Sequence, residues 1–122
     1  GLEALSRGAQ HVTFVEREKS LYKNIIKNIT HLSYENKIQA ACSDAFKWLK
    51  TNKKKFDIIF LDPPFDQIDY KILIRTIYQS NVLNEGGKVF LETNKHTELE
   101  LSKTQNILKD KTIGDVRLMI LE

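Results

Sequence analysis

The 122 residues carry 41% hydrophobic and 29% charged side chains, a mixture that supports one packed core and excludes both a disordered segment and a second domain. The longest apolar runs, Ile58 to Leu61 and Leu118 to Leu121, are four residues, against the roughly 20 that a bilayer-crossing helix needs, so no membrane span is expected. One cysteine, Cys42, excludes an internal disulfide and fits a reducing, cytoplasmic setting; three scattered histidines give no zinc spacing, and 19 Lys and Arg against 16 Asp and Glu permit a polyanionic partner without requiring one.

Taken in chain order, short apolar stretches alternate with helical patterns, which predicts repeated βα units, a parallel sheet and the α/β class. Gly1 to Arg7 reads as helix, with Gly8 as the left-handed residue that closes it. His11 to Glu16 alternates like a strand. Over Glu18 to His31, Leu21, Ile25, Ile29 and Leu32 recur at helical spacing with Lys19, Lys23 and Lys27 on another face, the pattern of an amphipathic surface helix. Lys37 to Cys42 is a short strand, Cys42 a small buried residue of it. Ser43 or Asp44 is placed to cap a helix carrying Ala45, Trp48 and Leu49, and the lysines at 53–55 form the loop after it.

Phe56 to Leu61 is the strongest strand, β-branched and aromatic with no charge after Asp57, as expected of a central strand covered on both faces. It ends at Asp62-Pro63-Pro64-Phe65. A helix over Tyr70 to Gln79 follows, then a turn at Asn84-Glu85-Gly86-Gly87 and a strand from Lys88 to Glu92. Gln105 to Lys111 and Asp115 to Leu121, with Gly114 between them, read as an antiparallel hairpin that finishes the domain. A crossover helix needs a strand before it, and the opening helix arrives without one, so the expected first strand is missing from the chain.

Three groups could carry chemistry. Asp62-Pro63-Pro64-Phe65 follows the best parallel strand, where open α/β sheets bind ligands. Its prolines stiffen the backbone and leave carbonyls free to accept, beside a carboxylate and an aromatic ring, a set that suits a planar base with an amino group. Against this stands the plainer role of a rigid strand-to-helix turn. Glu16 ends its strand where Rossmann-like domains put an acid that accepts from both ribose hydroxyls, although a surface or helix-start acid explains it about as well. Ser43-Asp44 ends the next strand and could face an adenine amino group, with a helix N-cap as the competing role. No nucleophile or metal-ligand spacing is present.

The segments GLEALSRGA, VTFVE, SDAFKWL, FDIIFLDPPF and EGGKVFLE, in this order and spacing, resemble the bacterial 16S ribosomal RNA guanine-N2 methyltransferases over nearly the whole chain. The resemblance implies a Rossmann-like class I methyltransferase fold, with a mostly parallel sheet ending in an antiparallel hairpin, S-adenosyl-L-methionine as cofactor, and ribosomal RNA or the small ribosomal subunit as partner. Carried onto this sequence, it implies that Glu16 with Arg17 binds the cofactor ribose, Ser43, Asp44 and Ala45 the adenine, and Asp62, Pro63, Pro64 and Phe65 the target base. The family's first strand and glycine-rich loop would lie before Gly1, and their absence would leave two inner sheet edges unpaired, through which the chain could recruit another copy. A guanine amine is a poor nucleophile, so the Asp62 carboxylate and the Pro63 carbonyl would orient it while Phe65 stacks on the extruded base. The alternatives are methylation of a DNA or protein amine, a nucleic-acid-binding remnant without catalysis, and a nicotinamide enzyme, for which the Asp-Pro-Pro-Phe segment has no role.

Overall fold

A computed structural model describes residues 8–30, 37–61, 70–96 and 106–122 of the chain. By its contacts the chain divides into two compact units, Gly1–Thr51 and Asn52–Glu122. The expected helix before Gly8 and the segment from Asp62 to Phe65 lie outside the described residues. Gly8 itself has a φ of 106°, a positive value that glycine adopts without strain.

In the first unit β1 (Val12–Glu16) and β2 (Ile38–Cys42) pair in parallel, in register from Val12 opposite Ile38 to Glu16 opposite Cys42. Parallel neighbours need a crossover, and α1 (Lys19–Thr30) supplies it. The Glu18 carbonyl accepts the first helical hydrogen bond from the Tyr22 N–H at 2.9 Å, so the helix starts one residue later than the apolar spacing predicts. Ile29 is buried, with Tyr22 and Ile25 half-buried on the same side, one apolar stripe at positions 22, 25 and 29, whereas Leu21, expected on that stripe, is exposed because it lies nearly a third of a turn from Tyr22. After β2, Asp44 begins α2 (Ala45–Thr51), whose Leu49 is buried and whose Trp48 is half-buried.

The second unit is a four-stranded sheet in the order β3-β4-β6-β5, made of β3 (Phe56–Leu61), β4 (Leu83–Asn94), β5 (Ile107–Ile113) and β6 (Val116–Leu121). β3 and β4 run parallel, joined through α3 (Tyr70–Gln79), and the remaining pairings are antiparallel. The helix ends as its pattern predicts. Asn81, at φ 54°, takes the left-handed position just beyond it, a place where asparagine substitutes for glycine.

The expected turn at residues 84–87 is absorbed into β4. Between the pairs Phe56–Leu83 and Ile58–Lys88, four residues of β4 face Asp57 alone, and the Asn84 Nδ2 donates to Asp57 Oδ1 at 2.9 Å across this irregularity. A Cβ at Gly87 would stand 2.8 Å from the Asn84 carbonyl oxygen and 3.2 Å from that of Asp57, so only glycine lets the strand close up here. The turn signal was real but local. Pairing with β3 extends the strand through it and on to Asn94.

The hairpin forms as its spacing predicts. Ile113 pairs with Val116 around a two-residue loop, and Gly114 at φ 59° supplies the positive φ that such a loop requires at its first position. Along β4, Val89, Leu91 and Thr93 are buried, as are their register neighbours Leu121 and Met119 on β6. Tyr70, Leu73, Ile74 and Ile77 of α3 complete the core of this unit.

Two further burial expectations are overturned. Among the described residues β3 is not covered on both faces, since Ile58 is 49% and Phe60 59% exposed; the Phe60 ring meets the tilted ring of Phe90 with centroids 5.3 Å apart. Every buried side chain of its partner β4 alternates to the other face, and β3 ends its sheet among the described residues. Cys42 is exposed rather than buried, because it is the last residue of β2, where the strand runs out of cover and its thiol lies toward the Arg17 carbonyl. No described helix is long and apolar enough to cross a membrane.

Candidate functional site

The carboxyl ends of β1 and β2 form the candidate site of the first unit. Their register sets Glu16 opposite Cys42, and the Ser43 N–H donates to the Glu16 carbonyl at 3.0 Å, one step beyond the end of β2. Parallel pairing thus places Glu16, Arg17, Ser43, Asp44 and Ala45, five residues from two distant stretches of sequence, on one edge. The Cys42 S–H reaches the Arg17 carbonyl at 3.9 Å on that edge, a neighbour that sequence reasoning missed by assigning it to the core. An exposed thiol at a strand end is signalled only by its position directly before Ser43-Asp44.

Each carboxylate here serves the backbone with one oxygen. Glu16 Oε1 accepts from the Glu18 N–H at 3.1 Å, holding the turn that leads into α1, and Glu18 Oε1 in turn accepts from the Ser20 hydroxyl at 2.9 Å. Asp44 Oδ1 accepts from the Phe46 and Lys47 N–H groups at 2.9 and 3.2 Å, so Asp44 and not Ser43 is the N-cap of α2. The Ser43 hydroxyl donates to the Asp44 carbonyl at 3.1 Å. Glu16 Oε2 and Asp44 Oδ2 have no donor among the described residues. Both capping roles are therefore real, and both leave an acceptor for something else. Two half-buried carboxylates are acceptors only, matched to a ligand that presents hydroxyl and amino donors, as a nucleoside does.

The second unit contributes less that can be described. β3 runs up to Leu61, and the four residues after it, Asp62, Pro63, Pro64 and Phe65, lie outside the described residues. Lys53 and Lys55, in the loop before β3, are exposed, and the Lys54 N–H donates to Asn52 Oδ1 at 3.2 Å, as in a solvated turn.

Parallel βα units followed by the sheet order β3-β4-β6-β5, its last two strands an antiparallel hairpin, define an α/β protein with the class I methyltransferase fold. The chain superposes on a conserved hypothetical protein of Streptococcus pyogenes with a TM-score of 0.90 at 28% identity, covering 98% of this chain and 76% of that one. A ribosomal protein L11 methylase from Lactobacillus delbrueckii shares the fold with a TM-score of 0.71 at 18% identity, covering 99% of this chain and 62% of that one. The chain belongs to the family described as Conserved hypothetical protein 95, whose sequence model matches residues 1–122. In sequence it is 33% identical over 119 residues to ribosomal RNA small subunit methyltransferase D of Haemophilus influenzae, an alignment that takes in 95% of this chain and 62% of that protein. The chain spans about three fifths of the length of such relatives, 62%, 61% and 59% in three of them.

Proposed function

We propose that this chain is the larger part of one S-adenosylmethionine-dependent methyltransferase domain, its two units being parts of that domain, and that its target is the exocyclic N2 amine of a guanine in small-subunit ribosomal RNA. The observation that carries the reading is the shared edge of Glu16 and Ser43-Asp44, where two carboxylates from adjacent parallel strands each keep an unused oxygen. The names of its relatives, ribosomal RNA small subunit methyltransferase D among them, support the same reaction class.

Under this reading Glu16 accepts from the ribose hydroxyls of the cofactor, with Arg17 beside it, while Asp44, flanked by Ser43 and Ala45, accepts from the adenine amine. When bound, the cofactor would supply a sulfonium methyl group, whose carbon is electrophilic enough for in-line attack by an amine with the thioether sulfur as leaving group. Asp62 and the Pro63 carbonyl accept from the amino edge of the guanine and turn its nitrogen lone pair toward the methyl. Pro64 stiffens the segment, and Phe65 stacks on the extruded base. No strong base is needed before attack, since the proton leaves once the nitrogen has become cationic.

The test is methyl transfer by the purified protein from labelled cofactor to small-subunit RNA, followed by mass analysis of the nucleosides. N2-methylguanosine is expected. A methyl group on another base, on DNA or on protein would replace the proposed substrate, and failure to bind the cofactor would overturn the reading.

A further inference from the structure

The helix α1 carries Lys19, Lys23 and Lys27 at successive four-residue steps, all exposed, and its twelve residues include no acidic side chain. At about 100° per residue the three lysines fall within roughly 80° of the helix circumference, and at about 1.5 Å per residue they are spread over about 12 Å of its length. Ser20 and Asn24 flank them on one side, Ile26, 36% exposed, on the other, and Thr30 lies among them, while the stripe of Tyr22, Ile25 and Ile29 faces another way. None of the three lysines has a carboxylate partner among the described residues, in a chain that elsewhere pairs Lys95 with Asp115 and Arg117 with Asp110.

This arrangement works against the helix. Lysines four residues apart repel each other, and Lys19 sits at the positive end of the helix dipole, so only Lys27, in the last turn, is favourably placed for the helix itself. The stripe starts three residues after Glu16, at the carboxyl edge of β1, and runs away from it along the outer surface of the first unit. A row of cations without a carboxylate partner among the described residues, bordered by a single exposed apolar side chain, Ile26, suits the regularly spaced phosphates of a nucleic-acid strand. An acidic protein partner would be expected to meet a larger apolar surface than one isoleucine offers.

We propose that Lys19, Lys23 and Lys27 form a phosphate track that holds the RNA backbone and leads it to the edge carrying Glu16. The inference rests on the RNA-methylating reading and adds to it the surface where the substrate docks. The track contributes affinity and placement, not sequence choice, because phosphates carry no base identity.

The experiment is equilibrium binding of the protein to a small-subunit RNA fragment over a series of salt concentrations, for the wild type and for the triple variant K19Q/K23Q/K27Q. Removing three phosphate contacts should weaken binding by at least tenfold near 0.1 M salt and reduce the slope of log K against log salt by roughly 2, about 0.7 per contact. The triple arginine variant should restore both. Cofactor binding, measured separately by calorimetry, should not change, so a lost cofactor site and a lost track are told apart. In the wild type, RNA should shield these lysines from acetylation as read by mass spectrometry, a measurement that needs no variant to fold. Unchanged affinity and slope in the triple variant, or equal acetylation with and without RNA, overturns the track while leaving the methyltransferase reading in place. Preferential binding to an acidic protein over RNA also overturns it.

Discussion

The Ser43 N–H donates to the Glu16 carbonyl at 3.0 Å, and this bond carries the ladder of β1 and β2 past the end of β2. It fixes the main chain of one candidate cofactor residue to that of the next. Side chains 27 positions apart in sequence, those of Glu16 and Ser43, thereby start from neighbouring points on one sheet edge.

Replacing Glu16 by alanine should weaken S-adenosylmethionine binding by tenfold or more, because hydrogen bonds from two hydroxyls to a charged acceptor are worth roughly 1.5 to 3 kcal/mol each before compensation. Calorimetry reads the change. The same variant frees the Glu18 N–H, which is exposed and can turn to water, so stability should fall only slightly. A dissociation constant within twofold of wild type would leave Glu16 with its turn-holding role alone.

Asp44 separates the cap from the ligand contact. Asp44→Ala removes the acceptor of the Phe46 and Lys47 N–H groups and should lower unfolding free energy by about 1 kcal/mol, whereas Asp44→Asn keeps a capping oxygen and should lose far less. Urea unfolding of the two variants gives the comparison. Equal losses would mean that the charge matters at this position and the cap geometry does not.

Asp62→Ala should slow methyl transfer by roughly 100-fold or more with little change in cofactor affinity, since a group that only orients the amine acts on the transition state. Phe65→Ala should lose roughly 1 to 3 kcal/mol of base stacking and show part of its effect as weaker RNA binding. Single-turnover assays at saturating RNA distinguish the two. Near-normal transfer by Asp62→Ala would make the segment a structural turn.

On the hairpin, Arg117 donates from Nε and a terminal nitrogen to the two oxygens of Asp110, at 2.9 and 2.6 Å. These bonds, helped by the guanidinium charge, hold the Asp110 carboxyl below its ordinary value of 3.8. A lowered folded pKa means that the stabilisation is complete above that ordinary value and is lost as pH falls through the lowered one. With both side chains partly exposed and the attraction screened by salt, the pair should contribute under about 1 kcal/mol. Arg117→Leu should flatten this acid dependence of urea unfolding; an unchanged profile would assign it to other carboxylates.

The elements were largely legible because they rest on local signals. The period of α3, the alternation of β1 and the glycine of the Gly114 turn depend on residues within a few positions of one another, and all three form where the patterns put them. The class I methyltransferase fold was legible too, through the order of five short segments. In the candidate site, the positions of Glu16, Ser43 and Asp44 at strand ends could be read, whereas the choice of Asp44 over Ser43 as cap could not. Both are good caps, and the decision lies in which residue enters the helix first.

By itself, then, the sequence determined most of the residues that become strand, helix and turn, and which of them stand at the carboxyl ends of parallel strands. Tertiary structure decided what depends on a partner far away in the chain. Pairing with β3 drew residues 84–87 into β4 around Gly87, and Cys42, at the end of β2, was left exposed with its thiol toward the Arg17 carbonyl. The exposure of Ile58 and Phe60 was settled in the same way. An apolar run states that a strand can be buried on both faces, but only the elements that arrive to cover it determine whether it is.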